Sequence, residues 1–382
     1  MRITEVKAYP LRAFIGRPVT GFRGHSSYSS RISTSFNSVY VNIKTDEGIE
    51  GWGESIARET LASASLINEY LAPLLISRDP LDNDVIWNDL FSTLRIRGHY
   101  EGIFVEALSG IDIALWDIKG KYYNKPVWKL IGGKYRDKVK AYASSVILMK
   151  PEEMAEEVRK LEERGFEYVK IKIGRRFEED ERAIKAIRET VGYKVKLIAD
   201  ANTAYNIATA IKVGRLLERY EFIWFEEPVP PDDLDGYQKI SKTLDIPIAG
   251  AETFFSKYQW RDVINRGAID IAMPDISRVG GITELMKIEA LADSYNIPLT
   301  FHVGISGAFC RAASLQAIAS TPNHLLFEPA YEYYYVEGNP LAYEVVEKDV
   351  EEFDGDSVII GEKPGIGVSI NRENLRKYII SL

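Results

Sequence analysis

The sequence predicts an α/β protein: a barrel of parallel strands alternating with helices, preceded by a smaller α+β unit. Three observations lead there. From Val139 onward, strand-like apolar runs alternate strictly with amphipathic helical stretches, which implies a parallel sheet with right-handed crossovers. No Gly-x-Gly-x-x-Gly follows an early strand, which disfavours the alternative of an open doubly wound sheet. Three of the runs also close on a carboxylate: Lys196-Leu-Ile-Ala-Asp200, Phe222-Ile-Trp-Phe-Glu226 and Ile246-Pro-Ile-Ala-Gly-Ala-Glu252, 26 residues apart each time. One strand-plus-helix unit separates each acid from the next. In barrels the C-terminal strand ends form the active-site rim.

Residues 1–9 alternate as a strand, 36–44 form a second, and Asp46-Glu-Gly48 turns the chain into a third at 49–53. This is an antiparallel meander. Between its first two strands, residues 15–34 are rich in Gly and Ser and carry Arg23, His25 and Tyr28. A loop of that length is expected to serve as a lid whose polar groups close over a ligand. Helical periodicity follows at 61–77, 80–95 and 103–123. The third helix is apolar almost all round, so it should be buried, with Asp112 and Asp117 as structural partners. Lys125-Pro126 and Gly132-Gly133 mark the boundary. The eight barrel strands are expected at 139–145, 167–173, 195–200, 222–226, 246–251, 269–274, 298–302 and 325–328. The domains read as 1–125, a capping unit with the lid at 15–34; 126–335, the barrel; and 336–382, a tail returning to the cap.

At 382 residues the chain exceeds a single core. With 46% apolar and 27% charged residues it has an ordinary soluble composition. A net charge of −8, with no basic run beyond pairs such as Arg175-Arg176, argues against nucleic-acid and anionic-membrane partners. The opening Met1-Arg-Ile-Thr-Glu-Val-Lys7 reads as a strand rather than a signal peptide. No apolar run reaches the roughly 18 residues that span a bilayer. A lone Cys310 suits a reducing compartment, so a cytoplasmic location is expected.

Reading the strand ends alone yields a ladder. Lys170 and Lys172 alternate onto one face of the second strand, then come Asp200 with Asn202, Glu226, Glu252, Asp275, His302 and Glu328. Inward lysines are unfavourable unless anions sit nearby. Asp200, Glu226 and Glu252, with no thiol or imidazole in their spacing, select a hard divalent ion, Mg²⁺ or Mn²⁺. Asp275 beside His302 would fix one imidazole tautomer and stabilise its cation. Lys172, near Lys170 and a metal, should have its pKa depressed toward that of a working base. Two such groups around a cation-bound substrate suit removal of a proton next to a carboxylate, giving an enediolate.

The order Lys-x-Lys, Asp-x-Asn, Glu-Glu-Pro, Glu, Asp, His, Glu resembles the mandelate racemase subgroup of the enolase superfamily. Gly51-Trp-Gly-Glu54, the 112–116 helix segment, Gly132-Gly133 and Pro364-Gly-Ile-Gly367 resemble its capping and boundary motifs, so the likeness covers nearly the whole chain. The resemblance implies a modified TIM barrel, (β/α)₇β, capped by an α+β domain built from both termini. It implies Asp200, Glu226 and Glu252 as Mg²⁺ ligands, with Lys172 and the His302–Asp275 dyad as the acid/base groups. Lys170 and Glu328 would contact the substrate carboxylate or enediolate, and Asn202 would make a polar contact nearby. Muconate-cycloisomerase and dipeptide-epimerase relatives carry Lys where this chain has Asp275, which moves it away from them. The expected activity is dehydration of a sugar acid (an aldonate) to a 2-keto-3-deoxy acid, in carbohydrate catabolism, by a homo-oligomer. Arg23, His25 and Tyr28 would meet the polyol. Racemisation or epimerisation of a 2-hydroxy acid is the enzymatic alternative, and a non-catalytic metal-binding barrel the remote one.

Overall fold

The computed structural model describes residues 1–22, 31–56, 58–329 and 338–381, with backbone alone at 15–22, 31–34, 94 and 145. β1 (Ile3–Phe22), β2 (Arg31–Thr45) and β3 (Glu50–Ser55) form an antiparallel sheet in that order. The first two strands run well beyond their expected ends. Val19 pairs with Ser33 and Phe22 with Arg31, so residues 15–22 and 31–34, read from the sequence as loop, are strand. Gly and Ser lower strand propensity, but a cross-strand partner overrides it. Arg23, His25 and Tyr28 lie outside the described residues.

The helix Ile103–Tyr122 crosses this sheet at very short range. A Cβ at Gly51 would stand 2.0 Å from the Ala114 carbonyl oxygen, and one at Gly53 would stand 2.1 Å from that of Gly110. Glycine at alternate positions therefore admits the helix on one face of β3. The same alternation turns Trp52 and Glu54 to the other face, where Trp52 stacks 5.7 Å from Phe309. A separate apolar cluster, including Val41, Ile67, Trp87, Phe91 and Leu108, fills the space between sheet and helices.

After β4 (Lys138–Lys140), six parallel strands lie side by side: β5 (Tyr142–Val146), β6 (Tyr168–Lys172), β7 (Lys196–Asp200), β8 (Phe225–Glu226), β9 (Ile248–Gly250) and β10 (Ile271–Ala272). The remaining two staves are held by isolated bridges. Ala272 pairs with Leu299, Leu299 with His324 and Phe327 with Ala141, all parallel. Tyr142 N donates to Phe327 O at 3.0 Å, which closes the ring. Helices such as Pro151–Glu163, Phe177–Val191 and Ile207–Arg219 cover the outside. Inside, Tyr142, Ile198, Trp224, Ala249, Ile271, Met273 and Leu326 pack into a floor. Among the described residues, no helix is long and apolar enough to cross a membrane.

The last segment adds β11 (Phe353–Asp354) and β12 (Ser357–Ile359), the latter antiparallel to β4. Ile380 N donates to Pro10 O at 2.9 Å, and Val127 N to Gly365 O at 3.0 Å. The buried Asp117 joins three parts of the chain: it accepts from Trp52 N at 3.0 Å, Ile366 N at 3.0 Å and Lys121 Nζ at 2.7 Å. Asp112 accepts from both Thr283 N and Thr283 Oγ1. Both aspartates are thus structural.

An orphaned buried donor costs about 1–3 kcal/mol. Asp117→Ala should therefore lower the midpoint of chemical unfolding clearly, and Asp117→Asn, which keeps one acceptor oxygen, by less. A midpoint for Asp117→Ala equal to wild type would show that the carboxylate does not hold the three segments together.

Candidate active site

The functional side chains sit where parallel strands end together. β6 pairs with β7 so that Lys172 lies opposite Asp200, and β7 with β8 so that Asp200 lies opposite Glu226. Alternation along β6 turns Lys170 and Lys172 into the barrel while Ile171 packs outward in the main core. The Lys170 ammonium lies 2.7 Å from Glu226 Oε1, 2.9 Å from Glu328 Oε1 and 3.6 Å from Asp200 Oδ2. It also stands 5.3 Å above the ring of Tyr142. Lys172 Nζ contacts Asp200 Oδ2. Asp200 Oδ1 accepts from Asn202 N at 2.8 Å, and Glu226 Oε2 from the Trp224 indole at 3.2 Å.

On the other flank, Asp275 and His302 form a parallel bridge. Their side chains meet at 2.7 Å between Asp275 Oδ2 and His302 Nδ1, while His302 Nε2 lies 3.2 Å from Glu252 Oε2. Asp275 is itself aimed by Ser277, whose N and Oγ donate to Oδ1 at 2.8 and 2.6 Å. Glu328 Oε2 accepts from Val303 N and Gly304 N at 3.0 and 3.3 Å.

Burial and mutual charge set the protonation states. Burial works to discharge Lys170, but Glu226 and Glu328 outweigh it and hold its pKa well above the ordinary value. Burial would raise Glu328, yet Lys170 and His302 hold it well below the usual carboxylate range. Asp200 is lowered against burial by Lys172 and Lys170. Glu226 goes the other way: burial, with repulsion from Asp200, Glu328 and Glu252, pushes it up to about 8 despite Lys170. Burial disfavours the His302 cation, but Glu252 and the Asp275 hydrogen bond raise it to about 9.

The structure therefore brings together Lys170, Lys172, Asp200, Glu226, Glu252, Asp275, His302 and Glu328. Asn202 lies beside them, partly buried. Sequence reasoning missed Ser277, whose Asp-x-Ser spacing is a usable signal. It also missed the use of Glu54. This buried carboxylate accepts from Gly307 N at 2.6 Å and Cys310 N at 2.9 Å, which caps the barrel helix Ala308–Ser320 from the N-terminal sheet.

Two family models match the chain. Residues 153–374 match the family model described as enolase C-terminal domain-like. Residues 25–132 match the mandelate racemase / muconate lactonizing enzyme N-terminal domain. The chain is 35% identical to a D-galactarolactone cycloisomerase of Agrobacterium fabrum over 99% of both proteins. It is 33% identical to an arabinonate dehydratase of Saccharolobus solfataricus, covering 89% of this chain and 90% of that one. It is 34% identical to a D-galactonate dehydratase of Cronobacter sakazakii, over 88% and 90%. Among solved structures it resembles the 3,6-anhydro-D-galactonate cycloisomerase of Zobellia galactanivorans (TM-score 0.88, 28% identity, 100% of both chains). It also resembles a racemase of Streptomyces coelicolor with bound magnesium (TM-score 0.85, 28% identity, 99% and 100%).

Among the described residues, no three His, Cys, Asp or Glu side chains stand grouped as a ready metal cage. Asp200, Glu226 and Glu252 instead turn oxygens to Lys172, Lys170 and His302. The donor chemistry nevertheless fits a hard divalent ion. Five acids (Asp200, Glu226, Glu252, Asp275, Glu328) face three basic groups (Lys170, Lys172, His302), so full ionisation leaves two negative charges. Buried charge of that kind is compensated by pairing or by metal, and all-oxygen donors select Mg²⁺ or Mn²⁺.

Titration with Mg²⁺ should therefore raise the thermal midpoint of the wild type. The stabilisation expected is about 2.7 kcal/mol at roughly 100 times the dissociation constant. Glu226→Gln should lose most of that response. A wild-type midpoint indifferent to Mg²⁺ and Mn²⁺ would rule the site out.

Proposed function

The chain belongs to the enolase superfamily, in its mandelate racemase subgroup, and from that membership we propose that it is a Mg²⁺-dependent dehydratase of a sugar acid. The observation that carries this reading is the pair of proton-transfer groups, Lys172 and the His302–Asp275 dyad, on opposite flanks of one carboxylate ladder. The arabinonate and galactonate dehydratases, at 33% and 34% identity, support the substrate class.

In this reading Asp200, Glu226 and Glu252 hold the metal, whose charge when bound offsets the negative charge that develops on the substrate carboxylate. Lys170, kept as an ammonium by Glu226 and Glu328, donates to that carboxylate, Asn202 orients it, and the ionised Glu328 holds the Lys170 ammonium in place beneath it. Lys172 Nζ takes the proton from C2. The electron pair forms the C2–C3 double bond as the C3–O bond breaks, and His302 Nε2 gives its proton to the departing hydroxyl. Asp275, on Nδ1, holds the imidazole ring in the orientation this needs. Water leaves, and the resulting enol tautomerises to the 2-keto-3-deoxy acid. Arg23, His25 and Tyr28 are proposed contacts to the distal hydroxyls.

A second reading has a specific observation behind it, the 35% identity to a D-galactarolactone cycloisomerase. There the same C2 proton would leave, but a ring C–O bond would open and no water would be lost.

Incubation with Mg²⁺ and a panel of aldonic acids and sugar-acid lactones in deuterated solvent should yield, from an aldonic acid, a 2-keto acid detectable as its semicarbazone and lighter than the substrate by one water. A product isomeric with a lactone substrate would favour the cycloisomerase. Deuterium at C2 with inverted configuration and no keto acid would replace dehydration by racemisation. His302→Asn and Lys172→Ala should each reduce turnover by at least about 100-fold, the scale of a lost general acid or base, with Mg²⁺ binding retained. Full activity in either variant would overturn its role.

A further inference from the structure

We propose that Glu227 is a positioning residue that fixes the three strand ends bearing Asp200, Glu226 and Glu252 in one mutual register, and so sets the affinity of the metal site without touching the metal. The inference builds on the metal-site reading above and adds to it a residue that neither the ladder nor the proton-transfer groups require.

Glu227 is 1% exposed and follows Glu226 directly in the chain. Its carboxylate turns away from the lysines. Oε1 accepts from Ala251 N at 2.7 Å and Oε2 from Tyr237 OH at 2.8 Å. Its main-chain oxygen accepts from Thr203 N at 2.7 Å, and its N donates to Ala249 O at 3.1 Å. One residue thus bonds the loop after Asp200, adjoins Glu226 and clasps the residue immediately before Glu252. These are the three adjacent strand ends, and each bond constrains where the neighbouring carboxylate can point.

The backbone at those bonds is unusual. Asn202 (φ 42°), Thr203 (φ 64°), Glu227 (φ 45°) and Ala251 (φ 73°) all occupy the left-handed region without being glycine. Such conformations persist only where surrounding contacts over-determine them, and the Glu227 bonds to Thr203 and Ala251 are contacts of that kind. Relaxation of Ala251 to an ordinary strand conformation would swing Glu252 away from His302 and the ladder. Space around β9 agrees: a Cβ at Gly250 would lie 2.9 Å from Glu227 Oε1, so the carboxylate uses room that only glycine leaves. Tyr237, in the helix Leu234–Thr243, fixes the far oxygen from outside the barrel.

The test is calorimetric titration of Mg²⁺ into folded, metal-free protein, alongside the thermal midpoint of each metal-free variant. Glu227→Ala should weaken Mg²⁺ binding by about 10–100-fold, the range for groups that orient metal ligands. Glu227→Gln, whose amide oxygen can still accept from Ala251 N, should restore affinity to within a few-fold of wild type. Tyr237→Phe should weaken it several-fold. A merely structural role would lower the metal-free midpoint of Glu227→Ala and leave the affinity of the folded protein unchanged, which would overturn the proposal. Equal weakening in Glu227→Gln and Glu227→Ala would also overturn it, because charge and not acceptor geometry would then be responsible. If Glu227→Ala does not fold, Tyr237→Phe decides, and unchanged affinity there refutes the role. Absence of Mg²⁺ binding by the wild type would overturn the metal-site reading itself, and the positioning role with it.

Discussion

The Lys170 ammonium, buried against Glu226, Glu328 and Asp200, is the interaction on which the rest of the molecule depends. An ion removed from water this completely is tolerated only where opposite charges and hydrogen bonds surround it. Those partners come from the third, fourth and eighth staves while Lys170 stands on the second, so the charge cluster exists only if the barrel is closed. Closure itself is thinly made, through single bridges at Leu299, His324 and Phe327. The apolar floor of Tyr142, Trp224 and their neighbours supplies the packing that holds those staves while the charges assemble above it. The low-dielectric floor also strengthens every attraction and repulsion in the cluster, which is why Glu226 rises while Glu328 falls within one site.

A second constraint fixes the N-terminal sheet against the barrel. Gly51 and Gly53 let the helix Ile103–Tyr122 lie almost on the backbone of β3, and the alternation that puts them there sends Trp52 and Glu54 toward the barrel. Glu54 then occupies the N-terminus of the helix Ala308–Ser320, where free N–H groups and the helix dipole favour an anion. That helix begins a few residues beyond His302 and next to the loop whose N–H groups bind Glu328. A carboxylate from the first 60 residues therefore helps hold the seventh strand end in place.

Much of this was legible in the sequence because it is periodic. A strand-and-helix unit repeating at nearly constant length places successive strand ends on one rim, so the acids, the lysines and His302 could be assembled without coordinates. Two kinds of feature escaped. Residues 15–22 carry Gly16, Pro18 and Gly21, which break the strand pattern and read as loop, while their pairing with 31–34 is set by a partner strand. Contacts spanning long separations escaped as well: Glu54 to Gly307 is 253 positions, and Glu227 to Ala251 is 24 with a left-handed backbone at both ends. Position on the rim was readable, but the cation each acid faces depends on rotamers that periodicity does not set.

The two lysines of β6 show how finely such position decides chemistry. They are the same residue type on the same face of one strand, separated by two residues, or about 6.6 Å of rise. The deeper Lys170 has a 2% exposed side chain and lies within 3.6 Å of three carboxylates. Those carboxylates hold its pKa well above the ordinary value, which suits a fixed positive charge and hydrogen-bond donor. Lys172 stands at the end of the strand, with a side chain 10% exposed, against Asp200. That carboxylate is one a divalent ion would draw toward itself, loosening the acid's hold on the ammonium. Of the two amines, Lys172 is therefore the more exposed, at the C-terminal end of its strand. The difference in depth and in the number of facing anions is what makes Lys172, rather than Lys170, the lysine proposed for proton abstraction, although both point into the barrel.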